Sequence, residues 1–440
     1  MNKVVFLLLP LLLYNISLHS QSQDVADTLI GKGTLINCID YALAHQPEIQ
    51  QSLLDEQITD HEINSRLADW FPQLNINMNL THNYKLPQSV VGGVPVVTGL
   101  LNTSAAQFSL TQTIFDRDVF LASSTSSEIR DLVKQRTAFS KINVITVVSK
   151  AFYSVLFTQE QIALLDEDVL RLEQSVKDTY NQYKGGVVDK TDYERATIAL
   201  NNAVAEKKQS EELLKSRYAF LKEQMGYQSD AGLVLEFDTT KMQSEAFIDT
   251  TLKLNYQNRI EFQILQSRID LQKANLNYYD LSFIPSLSAF GNYNFFYQND
   301  RLSRLYNHSY TNSNIGLQLS LPFSLGGKQI QEIQQASLEL KRTDYDIKSL
   351  KDSINTEYIT AMGEYKSNLN NYKLLKENLN LAKDVYNTIQ LQYKSGIKTY
   401  LDVITAETDL RTTQANYNNA LFQLLSSKLD IQRALGIIQY

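Results

Sequence analysis

The segment from Gln182 to Gly226 recurs as Gln392 to Gly436, 210 positions later. Tyr183, Lys184, Gly186, Asp192, Ala196 and Gly226 match Tyr393, Lys394, Gly396, Asp402, Ala406 and Gly436. A second block aligns at an offset of 213, with Glu48, Gln50, Asn64, Pro72 and Leu74 opposite Glu261, Gln263, Asn277, Pro285 and Leu287. A tandem duplication fixes the architecture before any residue is assigned to an element, because each half must be the same supersecondary unit.

The physical pattern repeats with the residues. Ile162, Leu165, Val169, Leu172, Val176, Thr179 and Tyr183 are spaced alternately three and four apart. Tyr372, Leu375, Leu379, Ala382, Tyr386, Ile389 and Tyr393 reproduce that spacing. This is a coiled-coil seam. No Gly or Pro occurs between Arg117 and Lys184, and only Gly363 interrupts Lys328 to Lys394. Each stretch is a candidate helix on the order of 100 Å long at the α-helical rise. Gly185-Gly186 and Ser395-Gly396 supply the glycine expected after a helix C-terminus. Returning helices are predicted over about 190–225 and 400–435, and further helical segments over about 42–70 and 254–283, ahead of each strand region. Stacked end to end, a returning helix and a leading one match the long helix, so each repeat reads as two antiparallel columns.

After Pro72 the period falls from 3.5 to 2. Leu74, Ile76, Met78 and Leu80 alternate with Asn75, Asn77, Asn79 and Thr81. Strands are predicted over about 73–84, 107–115, 286–297 and 314–323, with Phe290 and Phe296 breaking the alternation of the third. Strands of roughly nine to eleven residues with one apolar face suit a transmembrane barrel. The polar faces, among them Asn75, Asn77, Asn79, Thr111, Ser288, Asn292 and Gln318, would then meet a water-filled lumen. The alternative is the solvent side of a soluble sheet. Four strands cannot close a barrel, and an open edge in lipid strands backbone groups at several kcal/mol each. Three copies would supply twelve strands.

Composition narrows the function. The chain has 440 residues but only 16 Gly and 7 Pro, so turns are few and elements long. One cysteine, Cys38, excludes an intramolecular disulfide framework and a Cys-based zinc cluster. A net charge of −7 argues against a nucleic-acid partner. Residues 1–20 read as an export signal, with Lys3, an apolar run from Val4 to Leu13 and a cut near Ser20. No run of 18 apolar residues follows, so no transmembrane helix is expected and membrane entry would be by strands. No nucleophile–base or metal constellation is found, so the chain is not read as an enzyme and no cofactor is assigned. Tyr84, Tyr293, Tyr297, Tyr306 and Tyr310 are candidates for interfacial girdles, although the last two could equally be loop residues. Segments 85–103 and 298–312 read as extracellular loops.

The run Thr34-Leu35-Ile36-Asn37-Cys38-Ile39-Asp40-Tyr41-Ala42-Leu43, followed by Gln46-Pro47-Glu48-Ile49, resembles the TolC-like outer-membrane efflux protein family of Gram-negative bacteria. So do the junctions Phe71-Pro72-Gln73-Leu74 and Ile284-Pro285-Ser286-Leu287, the Leu321-Pro322-Phe323-Ser324 turn and the two Tyr-x-x-Gly hairpins. The resemblance implies a mainly α protomer with transmembrane β-strands, built by duplication of a helix-strand-strand-helix unit. It implies a homotrimer with a 12-stranded outer-membrane barrel in lipid above a long periplasmic α-helical barrel. Residues 21–230 and 254–440 are the two repeats and 231–253 an equatorial linker. The implied role is the exit duct of a tripartite efflux or type I secretion system. Its partners would be a periplasmic adaptor (membrane fusion) protein and an inner-membrane RND, ABC or MFS transporter. The competing reading is a pore-less periplasmic coiled-coil adaptor or structural protein, which has no use for four membrane-length strands.

The resemblance also places the working residues. The hairpin tips, with Gly185, Gly186 and Val187 in one and Ser395, Gly396 and Ile397 in the other, would meet the adaptor. Asp402 and its counterpart Asp192 match acidic gate positions, and three copies of Asp402 would form a carboxylate ring. Lys398 stands where a basic residue can bridge the tips, here to Asp192. Thr405 departs from the pattern, since many relatives carry a second acid there. The simpler account is that Asp192 and Asp402 are helix N-terminal residues favoured by the helix dipole.

Overall fold

A computed structural model of the chain describes residues 33–236, 239–323 and 326–440; the export signal expected over 1–20 lies outside these residues. The long periodic stretches form helices α3 (Arg117–Lys184) and α7 (Lys328–Lys394), of 68 and 67 residues. Asp116 starts α3 by accepting a hydrogen bond from the Asp118 amide at 2.8 Å, satisfying one of the free N–H groups of the first turn. The returning helices are α4 (Lys190–Met225) and α8 (Tyr400–Leu435).

The leading helices differ from expectation. The segment expected as one helix over 42–70 is two, α1 (Leu35–His45) and α2 (Pro47–Leu67). Pro47 has no N–H to continue α1, and Gln46 before it is driven to extended backbone, φ −62° and ψ 123°. In the second repeat the corresponding helix α6 is shorter than expected, Ile260–Asp280. A seven-residue helix α5 (Thr239–Glu245) lies in the linker, where Gly33 also pairs with Leu235 in an isolated parallel bridge.

Four columns stand side by side in the order α2 with α4, then α3, then α6 with α8, then α7. The stacked columns are joined end to end at glycines. A Cβ on Gly226 would lie 2.7 Å from the His45 carbonyl oxygen, and one on Gly436 would lie 2.5 Å from that of Asn258. Both glycines cap their helices in the left-handed conformation, φ 65° and 69°. Beside the second joint Arg259 is buried, bonded to Glu261 and Glu357 and, at 3.0 Å, to the Ala434 carbonyl near the end of α8. The main core gathers near this level from α1, α3, α4, α7, α8 and the linker, with Cys38, Val148, Phe152, Leu221, Tyr365 and Leu424 among its members. One stretch of α3 is long and apolar enough to cross a membrane, against the expectation that none existed, but 61% of it is buried within the chain, as core.

Each column is continued by one strand. The sheet order is β1 (Gln73–His82), β4 (Asn102–Phe115), β5 (Ser286–Asn299), β6 (Tyr310–Ser320), antiparallel throughout. The strands expected over 107–115 and 314–323 start earlier, at Asn102 and Tyr310, because β1 and β5 pair with these residues, which, Tyr310 apart, are small or polar and carry no apolar alternation. The fourth ends before Pro322, which has no donor for the ladder. Within the loop expected over 85–103, β2 (Gln88–Val91) and β3 (Val94–Val97) make a separate hairpin around Gly92-Gly93. The other loop carries a short 3₁₀ turn, Leu302–Asn307.

Candidate functional site

Helix α3 is flanked by α4 on one side and α8 on the other, and its sequence carries a stripe for each. Leu165, Leu172 and Thr179 belong to both stripes and are almost wholly buried. The apolar stripe through Val169 and Val176 forms the seam of the first hairpin. The other, spaced alternately three and four apart through Asp168, Ser175 and Gln182, is polar and meets the second hairpin. Ser175 Oγ lies 2.7 Å from Tyr400 Oη, and Tyr393 Oη donates to Gln182 Oε1 at 2.9 Å. Arg171 pairs with Asp168 on its own helix and reaches Glu407 of α8 at 3.4 Å. Toward the tips the two hairpins therefore pack on themselves through apolar seams and add hydroxyls, amides and charges where they meet each other.

Burial dominates the titration of this polar contact. It raises the Glu407 carboxyl, with Arg171 pulling the other way, and pushes the Tyr400 hydroxyl up to about 12. Asp168 is buried with one carboxylate oxygen on Arg171 and, among the described residues, no partner for Oδ2. Periodicity alone did not single out Asp168, Arg171, Ser175, Tyr400 or Glu407. The available signal was a charge next to a heptad seam, at Asp168, where an exposed helix would tolerate it and a sandwiched one has to pair it.

At the tips both turns follow one hydrogen-bond scheme. The amides of Gly186 and Val187 bond the carbonyls of Tyr183 and Gln182, and those of Gly396 and Ile397 bond Tyr393 and Gln392, a Schellman closure in each case. Val187 and Ile397 are left exposed at 75% and 72%, apolar side chains presented to solvent at the far end of the chain's long axis. Between the tips lies a cleft of about 890 Å³ whose lining includes Asp189, Asp192, Lys398, Thr399 and Tyr400.

Asp402 has a structural task. Its carboxylate accepts from the Thr399 amide at 2.9 Å and from Thr399 Oγ1 at 2.8 Å, while the Asp402 amide bonds back to Thr399 Oγ1, a capping box at the start of α8. These bonds, with Lys398 a smaller contributor, hold its carboxyl below the usual aspartate range. Lys398 lies 3.6 Å from Asp402, and the Lys398–Asp192 bridge anticipated from sequence is not formed within one chain. Thr405 bonds the Leu401 carbonyl at 2.8 Å and presents no charge. Among the described residues no group of three or more His, Cys, Asp or Glu could hold a metal ion.

The sheet separates an apolar from a polar face, with Phe290, Phe296 and Tyr310 the aromatic exceptions on the polar side. Leu74 is opposite Leu110, Ile76 opposite Phe108, Leu317 opposite Ala289 and Ile315 opposite Gly291 on one face. The other face pairs Asn75 with Ser109, Asn77 with Gln107, Asn292 with Asn314 and Asn294 with Asn312. The apolar face is bare: Met78 is 74% and Ile315 88% exposed. No Lys, Arg, Asp or Glu occurs in any of the four strands. Of the proposed girdle tyrosines, Tyr293 and Tyr297 fall on the apolar face, Tyr306 packs edge-on to Tyr297, and Tyr310 falls on the polar face opposite Phe296.

A family model described as "Outer membrane efflux protein" matches residues 38–226 and 252–437, both repeats. The chain is 21% identical over 405 residues to the outer membrane protein TolC of Vibrio cholerae serotype O1, covering 90% of this chain and 89% of that protein. It is likewise 21% identical over 453 residues to TolC of Escherichia coli K12, covering 100% and 87%. The solved structure of the outer membrane protein VceC from Vibrio cholerae superposes with a TM-score of 0.71 at 15% identity, covering 91% of this chain and 96% of that one.

Proposed function

The chain belongs to the outer membrane efflux protein family and is an outer-membrane efflux channel, and from that premise we propose that three copies assemble into one continuous duct. The observation that carries this reading is the sheet. Among the described residues it has two unpaired edges, β1 and β6, an exposed apolar face and no formal charge. With four alternating strands, β6 of one copy runs antiparallel to β1 of the next, so a ring of copies closes without an edge. Because each strand prolongs a column, the same ring closes the helices into a tunnel below the barrel. Exposed Trp70, Phe71 and Phe283 at the helix–strand junctions suit the periplasmic-side interface of the outer membrane.

The polar strand face then lines the lumen, and the tips stand farthest from the membrane. We assign the tips, through Gly185-Gly186-Val187 and Ser395-Gly396-Ile397, to docking of a periplasmic adaptor, which in turn couples the duct to an inner-membrane RND, ABC or MFS transporter. Exposed Val187 and Ile397 are the apolar anchors of that contact. Asp402 from three copies would narrow the entrance as a carboxylate ring, with Lys398 and Asp192 available to bridge neighbouring tips. The chain carries out no chemistry in this role.

In planar bilayers the purified protein should conduct, and crosslinking should trap trimers; a soluble, non-conducting monomer refutes the reading. For the ring, Asp402→Ala should weaken block by multivalent cations. Unchanged block would leave Asp402 with its capping role alone.

A further inference from the structure

Phe290 and Phe296 sit on the wrong face for lipid. Along β5 they share a side with Asn292 and Asn294, two and four residues apart, so they face the lumen of the proposed duct. Phe290 lies four residues into the strand from its helical end, opposite Thr111 and Gly316; Phe296 lies near the outer end, opposite Ala105 and Tyr310. Six residues of strand separate them by about 20 Å. Between them the wall is an amide belt, in which Asn292 bonds Asn314 at 2.9 Å and Asn294 bonds Asn312 at 2.7 Å.

The neighbour of Phe290 decides how its ring is held. A Cβ on Gly316 would fall 2.7 Å from the Phe290 Cζ, so the end of the ring rests over the bare backbone of Gly316 instead of standing into the lumen. A twelve-stranded barrel measures about 24 Å across opposite backbones, from the strand spacing and a typical tilt. Rings laid along such a wall narrow it little. They offer an aromatic face to whatever passes.

We propose that Phe290 forms a stacking site for flat, uncharged aromatic solutes in the barrel lumen. The solute class follows from what surrounds the ring. With no Lys, Arg, Asp or Glu on any of the four strands, the wall has no partner for an ionic group. It offers amide donors and acceptors at the edge of an aromatic face, the combination that holds a planar heteroaromatic molecule. Three copies place three such sites at one height. Covering Gly316 is a structural task that any bulky apolar side chain can perform; the aromatic face is what the site requires.

The site rests on the duct reading, and the experiment separates the two. Full-length trimeric channel is reconstituted in planar bilayers, and the mean current is titrated with caffeine, flat and uncharged, and with mannitol, of similar size and not aromatic. Wild-type channel should lose current to caffeine at lower concentration than to mannitol. Phe290→Leu, which still covers Gly316, should raise the half-blocking caffeine concentration at least about threefold, the scale of one stacking contact, and leave the mannitol response and open conductance unchanged. Phe290→Trp should lower it. Equal caffeine block in wild type and Phe290→Leu, or equal block by caffeine and mannitol, overturns the stacking site while the duct stands. Absence of current from the wild-type channel overturns the duct.

Discussion

Replacing Gly436 with alanine should open the joint between α8 and α6, and Gly396 provides its internal control. Both residues have positive φ, 69° and 75°, so alanine at either carries the same backbone penalty, about 1–2 kcal/mol. They differ in surroundings. Among the described residues nothing lies within 4 Å of a Cβ on Gly396, whereas a Cβ on Gly436 meets the Asn258 carbonyl oxygen at 2.5 Å and its carbon at 2.7 Å. Backbone cannot rotate away as a side chain can, so the helix ends must part by roughly the width of an overpacked methyl group, worth a further ~1–3 kcal/mol. Gly396→Ala should therefore cost about 1–2 kcal/mol and Gly436→Ala about 2–5. With an unfolding entropy of about 2 cal/mol/K per residue, a chain of this size loses about 1 °C of melting temperature per kcal/mol. The assay is far-UV circular dichroism of the detergent-solubilised protein on heating at one scan rate, together with hydrogen exchange of the Asn258 to Ile260 amides. Gly436→Ala should melt about 1–3 °C below Gly396→Ala and exchange faster at the joint. Equal melting and equal exchange would refute the argument that close approach, and not only φ, requires glycine there.

Three other perturbations probe separate layers of the molecule. Arg259→Leu removes a buried side chain and leaves the partly exposed Glu261 and Glu357 without it, so it should destabilise the same joint by about 1.5–3 kcal/mol in thermal melts, with Arg259→Lys in between. Thr399→Ala removes the capping box and should cost about 1 kcal/mol, read as faster exchange of the first α8 amides with the rest of the helix unaffected. Glu407, raised by burial, holds its proton more tightly folded than unfolded. The contact of the hairpins should therefore gain stability as pH falls from above its folded pKa toward the ordinary glutamate range, and Glu407→Gln should abolish that slope in melts over this interval. Asp402 has the opposite sign and a lower window, its capping contribution being lost only as pH falls through its depressed pKa.

The parts of the fold set by local rules were legible in the sequence. Helices α3 and α7 cover the residues marked out by heptad spacing and by the absence of Gly and Pro, because a seam and its punctuation are both local signals. Pro47 stands at the break between α1 and α2, and the single helix expected over 42–70 ran across it. The first residues of β4, Asn102 to Ala106, have no large apolar side chains, so nothing in them alternates; they are strand because β1 and β5 pair with them. The contact between hairpins was invisible for a related reason. Asp168, Ser175 and Gln182 look like a solvated face of one coiled coil, and only the second hairpin lying against that face makes them an interface. Phe290 and Phe296 registered as irregularities of a strand, and the register with Gly316 and Tyr310 is what turns them into a feature of the polar face.

The two unpaired edges carry a hazard as well as a use. β1 and β6 are different surfaces, so copies join head to tail, and a head-to-tail contact ends in a ring only if the curvature of the sheet brings the last edge back to the first. Nothing in the pairing of one edge with the next limits the number of copies. A population with slightly flattened strands would grow as open ribbons, each still ending in a bare edge that recruits another chain. Before closure, every newly made chain is thus an aggregation seed, and mutations that alter sheet twist should change the yield of closed assemblies without changing the fold of any single copy.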